Sequence, residues 1–166
     1  YTAVLRGHLD LAMAKFKAGT TGCDLDYLAR KALQEIGLDY NHGTGHGVGH
    51  VLSVHEGPQR ISKLPNKYKL EPGMITSDEP GVYIEGEFGI RIENEILCKE
   101  ADGNADELYF EMLTLCPYEP DAIISERLTE EERTYLNDYH KMVYSKLAPL
   151  LEPEVRNWLR KVTAPL

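Results

Sequence analysis

The sequence has few cysteines, few cations and no long apolar run. Its three cysteines, Cys23, Cys98 and Cys116, are odd in number, widely spaced and form no C-x-x-C. That pattern reads as reduced thiols and not as a disulfide framework. Lys and Arg total 18 against 27 Asp and Glu, a formal net charge of -9. Nucleic acid and anionic membranes recruit basic patches, so neither is expected as a partner. No stretch approaches the run of about 18 apolar residues that a membrane span needs. No basic segment with an apolar core precedes a cleavage site either, so no signal peptide is read and a cytoplasmic location is expected. Tyr1 already falls within an amphipathic pattern, so the reading expects a chain that begins inside a folded domain.

What is present is a globular composition, 42% hydrophobic and 27% charged, enough to bury a core. Leu5, Leu9, Leu11, Ala12 and Phe16 recur at helical spacing, which predicts a helix over 1–16. His8 is read as a surface residue of that helix. Gly19-Thr20-Thr21-Gly22 breaks the chain, and Leu25, Leu28, Ala29, Leu33 and Ile36 predict a second helix, capped by Asp24 or Asp26 and stopped at Gly37. Short strands are predicted over 51–54, 74–77, 82–84, 88–92, 95–98 and 108–115, with turns at Pro80-Gly81, Glu85-Gly86 and Asp102–Asp106. Thr129 with Glu132 forms a capping box for a helix reaching about Leu147, and a last helix over 154–162 carries Trp158. Helices, then antiparallel-looking strands, then helices indicate an α+β class.

Four segments carry chemistry. His42-Gly43-Thr44-Gly45-His46-Gly47-Val48-Gly49-His50 sets two histidines four apart. Each of its glycines would cost a helix about 0.8–1 kcal/mol, so an extended, glycine-lined segment is expected, with room for close backbone approach to a metal or substrate. The alternative is a glycine-rich turn with exposed histidines. Val54-His55-Glu56-Gly57-Pro58 and Asp78-Glu79-Pro80-Gly81 follow, each of which alone reads as an ordinary turn. In Phe88-Gly89-Ile90-Arg91-Ile92-Glu93-Asn94, strand alternation puts Ile90 and Ile92 on one face and Arg91, Glu93 and Glu95 on the other. Alone it reads as an amphipathic strand. Together, imidazole and carboxylates on separate short strands are a donor set for Mn²⁺, Fe²⁺, Co²⁺ or Zn²⁺. Two such ions can share a bridging carboxylate and sharpen a water into a nucleophile.

In order and spacing these motifs resemble the pita-bread (creatinase/aminopeptidase-like) metallopeptidases, and most of all their aminopeptidase P (Xaa-Pro aminopeptidase) branch. The resemblance implies an incomplete half of the pita-bread fold over residues 1–107 and a C-terminal extension over 108–166. It implies His46 and Glu79 as ligands of one metal and Glu93 as the carboxylate bridging both. His42 and His55 would contact substrate and the tetrahedral intermediate, His55 being the better candidate for proton or oxyanion work. Arg91 would orient a metal-bound carboxylate through a bidentate pair. Two aspartate ligands and a further substrate histidine are expected before Tyr1, so two divalent ions, most readily Mn, are expected of the full enzyme and weak or absent binding of this chain alone. The implied activity is hydrolysis of the N-terminal Xaa-Pro bond of peptides with proline in second place, by a homodimer of the full protein. Tyr83 and the glycines around His46 are loose candidates for shaping the site, and the segment 108–115 with the Trp158 helix for a subunit contact. A proline dipeptidase and a non-catalytic protein-binding module of the same fold are the competing readings.

Overall fold

The computed structural model describes residues 1–51 and 53–166. Two compact units divide it: Ala3–Thr114, and Leu115–Leu166 with Tyr1–Thr2.

The first unit opens within helix α1 (Thr2–Ala12), whose Val4, Leu5, Leu9 and Leu11 are fully buried. Helical periodicity stops short of the predicted end: Lys15–Lys17 is a strand, β1, and only Phe16 of it is buried. Helix α2 (Gly22–Gln34) buries Leu25, Ala29, Ala32 and Leu33. Its cap is Thr21, and Asp24 reaches back to accept hydrogen bonds from the Thr21 N–H and hydroxyl, both at 2.8 Å. Those bonds, the backbone one first, lower the Asp24 pKa. The chain leaves α2 through Gly37, whose φ of 75° is the left-handed conformation that ends helices.

Among the described residues seven further short strands follow: β2 (Gly45–His46), β3 (Arg60–Ile61), β4 (Ile75–Asp78), β5 (Gly81–Ile84), β6 (Phe88–Arg91), β7 (Asn94–Ala101) and β8 (Asn104–Met112). All pairings are antiparallel. One sheet has the order β1-β8-β7-β4, and β2-β3 and β5-β6 form two-stranded ribbons. The segment expected as a strand at 51–54 is not one where it is described; Val51 and Val54 are 78% and 63% exposed, and Leu52 lies outside the described residues. The turn expected over Asp102–Asp106 is tighter, centred on Gly103 at φ 76°, and β8 begins at Asn104. Phe16, Ile96, Cys98, Leu108 and Phe110 are buried, and the tilted Phe16–Phe110 ring pair, 5.0 Å between centroids, joins β1 to β8. Burial raises the Cys98 thiol to about 11, so it is an inert core residue.

In the second unit, helix α3 (Glu130–Leu147) starts on the predicted box. Glu132 N–H donates to Thr129 Oγ1 at 3.1 Å, and Thr129 N–H donates to Glu132 Oε2 at 2.7 Å. Leu136, Tyr139, His140 and Val143 form its buried stripe. Tyr118 N–H donates to His140 Nε2 at 3.1 Å, and burial lowers the His140 pKa to about 4. Helix α4 (Pro153–Val162) buries Leu159 but leaves Val155 and Trp158 44% and 53% exposed.

Candidate metal centre

Antiparallel registers of the first unit gather the motif residues. β2 places His46 opposite Arg60, and a backbone bridge from Gly47 to Thr76 carries β2 alongside β4. Glu79 follows the end of β4, and its N–H donates to Thr44 O at 2.7 Å. β6 delivers Arg91 opposite Gly81, and Glu93 lies between β6 and β7. Around these residues is a cleft of about 370 Å³ lined by His42, His46, His55, Arg60, Glu79 and Arg91 among others.

The glycines of the histidine segment have a more specific task than the openness expected of them. A Cβ on Gly45 would stand 1.8 Å from Ser77 O, and one on Gly47 would stand 2.0 Å from Glu56 O. Both positions are needed for backbone to pass backbone. The close approach is within the protein, and it sets His46 beside the strand that leads to Glu79.

His46 Nδ1 lies 2.9 Å from the Gly47 carbonyl. A carbonyl only accepts, so Nδ1 carries a proton, and in the neutral ring Nε2 presents a lone pair. That lone pair faces Glu79 Oε1 at 3.0 Å. A lone pair and a carboxylate oxygen at this separation need a cation or a second proton between them. Two ligands held about 2.1 Å from one ion at roughly a right angle stand about 3 Å apart. A histidine that ligates a metal also usually spends its other ring N–H on a carbonyl or carboxylate. The His46–Glu79 pair therefore fits a divalent ion.

The Glu79 carboxylate is held from two further sides. Ser77 Oγ donates to Oε1 at 3.0 Å while accepting from His46 N–H at 3.0 Å, and Arg91 Nη1 donates to Oε2 at 3.1 Å. The bidentate pair expected of Arg91 is not formed, because its Nε donates instead to Tyr83 Oη at 2.8 Å. Tyr83, named from sequence only as a loose candidate, is central here: its Oη is also 3.0 Å from His42 Nε2. His42 Nδ1 is 2.8 Å from the Gly43 carbonyl and so carries the proton, which makes Nε2 the acceptor of the Tyr83 hydroxyl. The donors run in one direction, from Arg91 to Tyr83 to His42. The His55 ring lies 4.3 Å from that of His46, centroid to centroid, and is exposed to the cleft.

Glu93 is exposed and stands apart from the His46–Glu79 contact; among the described residues no three of His, Cys, Asp and Glu converge closely enough to hold an ion. Its charge nevertheless reaches the same place. The Glu95 carboxyl is raised first by burial and then by the charges of Glu93 and Glu79, against the lowering effect of His46. Glu95 Oε2 is buried with no hydrogen-bond partner among the described residues. Carboxylates crowded in this way favour an added cation.

His8 is not a surface residue. It is fully buried, and its Nδ1 is 3.1 Å from both the Asp78 carbonyl and Asp78 Oδ2. The carbonyl lies in line for a hydrogen bond, and the carboxylate makes a close ionic contact with the same ring nitrogen. Burial raises the Asp78 carboxyl, His8 opposes that, and the adjacent Glu79 charge adds to it. Strand alternation back from Glu79 could have singled out Ser77 from sequence. No local signal marks His8, because its partner is 70 residues away.

Known proteins resemble this chain along its whole length. Residues 1–100 match the description "Metallopeptidase family M24", and residues 107–166 match "C-terminal region of peptidase_M24". A probable Xaa-Pro aminopeptidase P of Coprinopsis cinerea is 46% identical over 175 residues, covering 100% of this chain and 28% of the relative. Aminopeptidase P1 of Lotus japonicus is 46% identical, covering 100% of this chain and 26% of the relative. The chain thus spans little more than a quarter of the curated relatives it matches. Among solved structures, an X-prolyl aminopeptidase from Caenorhabditis elegans, described as a cytosolic enzyme with a di-nuclear active site, superposes with a TM-score of 0.92. It is 41% identical, over 99% of this chain and 28% of that one. A Xaa-Pro dipeptidase from Bacillus anthracis gives 0.57 at 37% identity, over 70% of this chain and 30% of that one. The α+β arrangement read from the sequence is the one found, and it is that of part of the pita-bread fold. The chain belongs to metallopeptidase family M24.

Proposed function

We propose that this chain is part of a cytoplasmic metalloaminopeptidase that hydrolyses the N-terminal Xaa-Pro bond of peptides. The observation that carries the reading is the His46 Nε2 lone pair facing Glu79 Oε1 at 3.0 Å with the other ring nitrogen already committed. The C. elegans and Coprinopsis proteins named above support the substrate class. We assign 1–107 to the catalytic domain and 108–166 to its extension, with β8 crossing the junction.

In this reading His46, Glu79 and Glu93 would hold the metal, Glu93 as a shared carboxylate, with two aspartates from outside this chain completing the set. Mn²⁺ is the proposed metal, since carboxylates outnumber imidazoles among the donors. The bound ions would polarise the scissile carbonyl and acidify a water to a nucleophile at neutral pH. The chain's own residues orient and move protons. Ser77 and Arg91 hold the two oxygens of Glu79 and so fix the plane of its carboxylate. Arg91 and Tyr83 together lock the His42 ring at the cleft wall, where it contacts the peptide. His55, exposed to the cleft, stabilises the developing oxyanion or passes a proton to the leaving amine. The half-exposed Val155 and Trp158 of α4 support a homodimer built through the extension.

The test is a chain extended to the length of its relatives, assayed for bound metal and for cleavage of Xaa-Pro peptides with Mn²⁺ and with EDTA. Two bound metals and Mn²⁺-dependent cleavage uphold the reading. Cleavage of Xaa-Pro dipeptides alone makes it a proline dipeptidase. No metal and no cleavage leaves a protein-binding module.

A further inference from the structure

Residues 40–44, which lead into His46 and contain His42, belong to no helix or strand. Their conformation is set by side chains of α2. Arg30, 2% exposed, donates from Nε to Asp26 Oδ2 at 2.6 Å and from Nη2 to Asp26 Oδ1 at 3.3 Å. The same guanidinium reaches the segment with Nη1 to Tyr40 O at 2.7 Å and Nη2 to His42 O at 2.9 Å, and Nη1 also meets Asp39 Oδ1 at 2.8 Å. It stacks on the Tyr40 ring at 3.8 Å. Thr44, fully buried, donates its hydroxyl to Asp26 Oδ1 at 2.6 Å, so the Tyr40 hydroxyl, 2.6 Å from Thr44 Oγ1, must donate to Thr44. Thr44 O in turn accepts the Glu79 N–H.

We infer that Asp26, Arg30 and Thr44 form a clasp that positions the active site, holding the His42 backbone from one side and the Glu79 backbone from the other. They are positioning residues, and the inference rests on the aminopeptidase reading. A helix-to-loop staple alone would not need this arrangement. Apolar packing replaces a buried ion pair at little cost, whereas only a fork of N–H donors fixes two carbonyls at once. The clasp joins the residue contacting the peptide to a residue holding metal, so its loss should be felt in both metal affinity and turnover.

The experiment uses the chain extended to the length of its relatives, with Mn²⁺ affinity, kcat, KM and melting temperature measured in each variant. Thr44→Val keeps the shape and removes the hydroxyl; Thr44→Ser keeps the hydroxyl. Loss of an outer-shell partner typically costs 10–100-fold in metal affinity or activity. Thr44→Val is expected to lose about tenfold or more in Mn²⁺ affinity and kcat while melting within a few degrees of the parent, and Thr44→Ser to restore both. Tyr40→Phe, which deletes only the outermost donor, is read beside it and should show a smaller loss of the same kind. Unchanged Mn²⁺ affinity and kcat in Thr44→Val overturn the clasp, as does a loss that follows the melting temperature alone and vanishes at a lower assay temperature. If Thr44→Val does not fold, parent-like values in Tyr40→Phe overturn it. A parent protein that binds no Mn²⁺ and cleaves no Xaa-Pro peptide fails the aminopeptidase reading itself, and the clasp with it.

Discussion

Replacing Gly45 by alanine should damage the site without touching any group of the proposed chemistry. The added Cβ would lie 1.8 Å from Ser77 O and 2.9 Å from Ser77 C, both backbone atoms that cannot rotate away. Restoring the tolerated approach of 3.0 Å to that oxygen moves β2 and β4 apart by about 3.0 − 1.8 = 1.2 Å. The bonds that hold the strands here, Glu79 N–H to Thr44 O at 2.7 Å and His46 N–H to Ser77 Oγ at 3.0 Å, do not survive a shift of that size. Two lost hydrogen bonds at about 1 kcal/mol each, with overpacking strain of about 1–3 kcal/mol, give a destabilisation of about 3–5 kcal/mol. The functional effect is larger relative to its scale, because the His46–Glu79 separation of 3.0 Å opens with the strands. A misplacement of about 1 Å in a catalytic site costs on the order of 100-fold. Mn²⁺ titration and steady-state kinetics on the extended chain measure both. Parent-like Mn²⁺ affinity and turnover in Gly45→Ala would refute the claim that this backbone contact sets the ligand spacing.

Tyr83→Phe removes the hydroxyl between Arg91 and His42 and keeps the ring; kcat should fall about tenfold with little change in KM, and unchanged kinetics would remove Tyr83 from the site. Acid should loosen the second unit through His140. Its pKa is lowered by burial to about 4 in the folded state against the ordinary 6.5, so the unfolded state binds the proton more readily. Its stabilising effect is complete above about pH 6.5 and is lost as pH falls toward 4, at up to about 3 kcal/mol before solvent screening reduces it. Hydrogen-exchange protection of α3 across that range should show the slope, and His140→Gln should flatten it. Thr129→Ala deletes the α3 cap and should lower protection of its first turn by about 1 kcal/mol, read by the same method.

The helices were legible where a local signal was complete. For α3, the box of Thr129 and Glu132 and the apolar stripe over Leu136 and Val143 are properties of neighbouring residues. Lys15 and Phe16 read from sequence as the tail of a helix because nothing nearby reveals their partner; the strand Lys15–Lys17 pairs with residues 107–109. His8 was misplaced for the same reason, its burial depending on Asp78.

The sequence by itself determined which chemistry is available. His46, Glu79 and Glu93 carry imidazole and carboxylate donor groups of the kind that can ligate a divalent metal, and the spacing of their motifs marks the family. Tertiary structure alone decided how those donors are used. The His46 tautomer, the single Arg91–Glu79 bond, the Arg91–Tyr83–His42 chain and the Arg30 clasp each join residues on separate elements. Hydrogen bonds are directional and short-ranged, so which donor meets which acceptor follows from strand register and from backbone passing close at glycine, not from order along the chain.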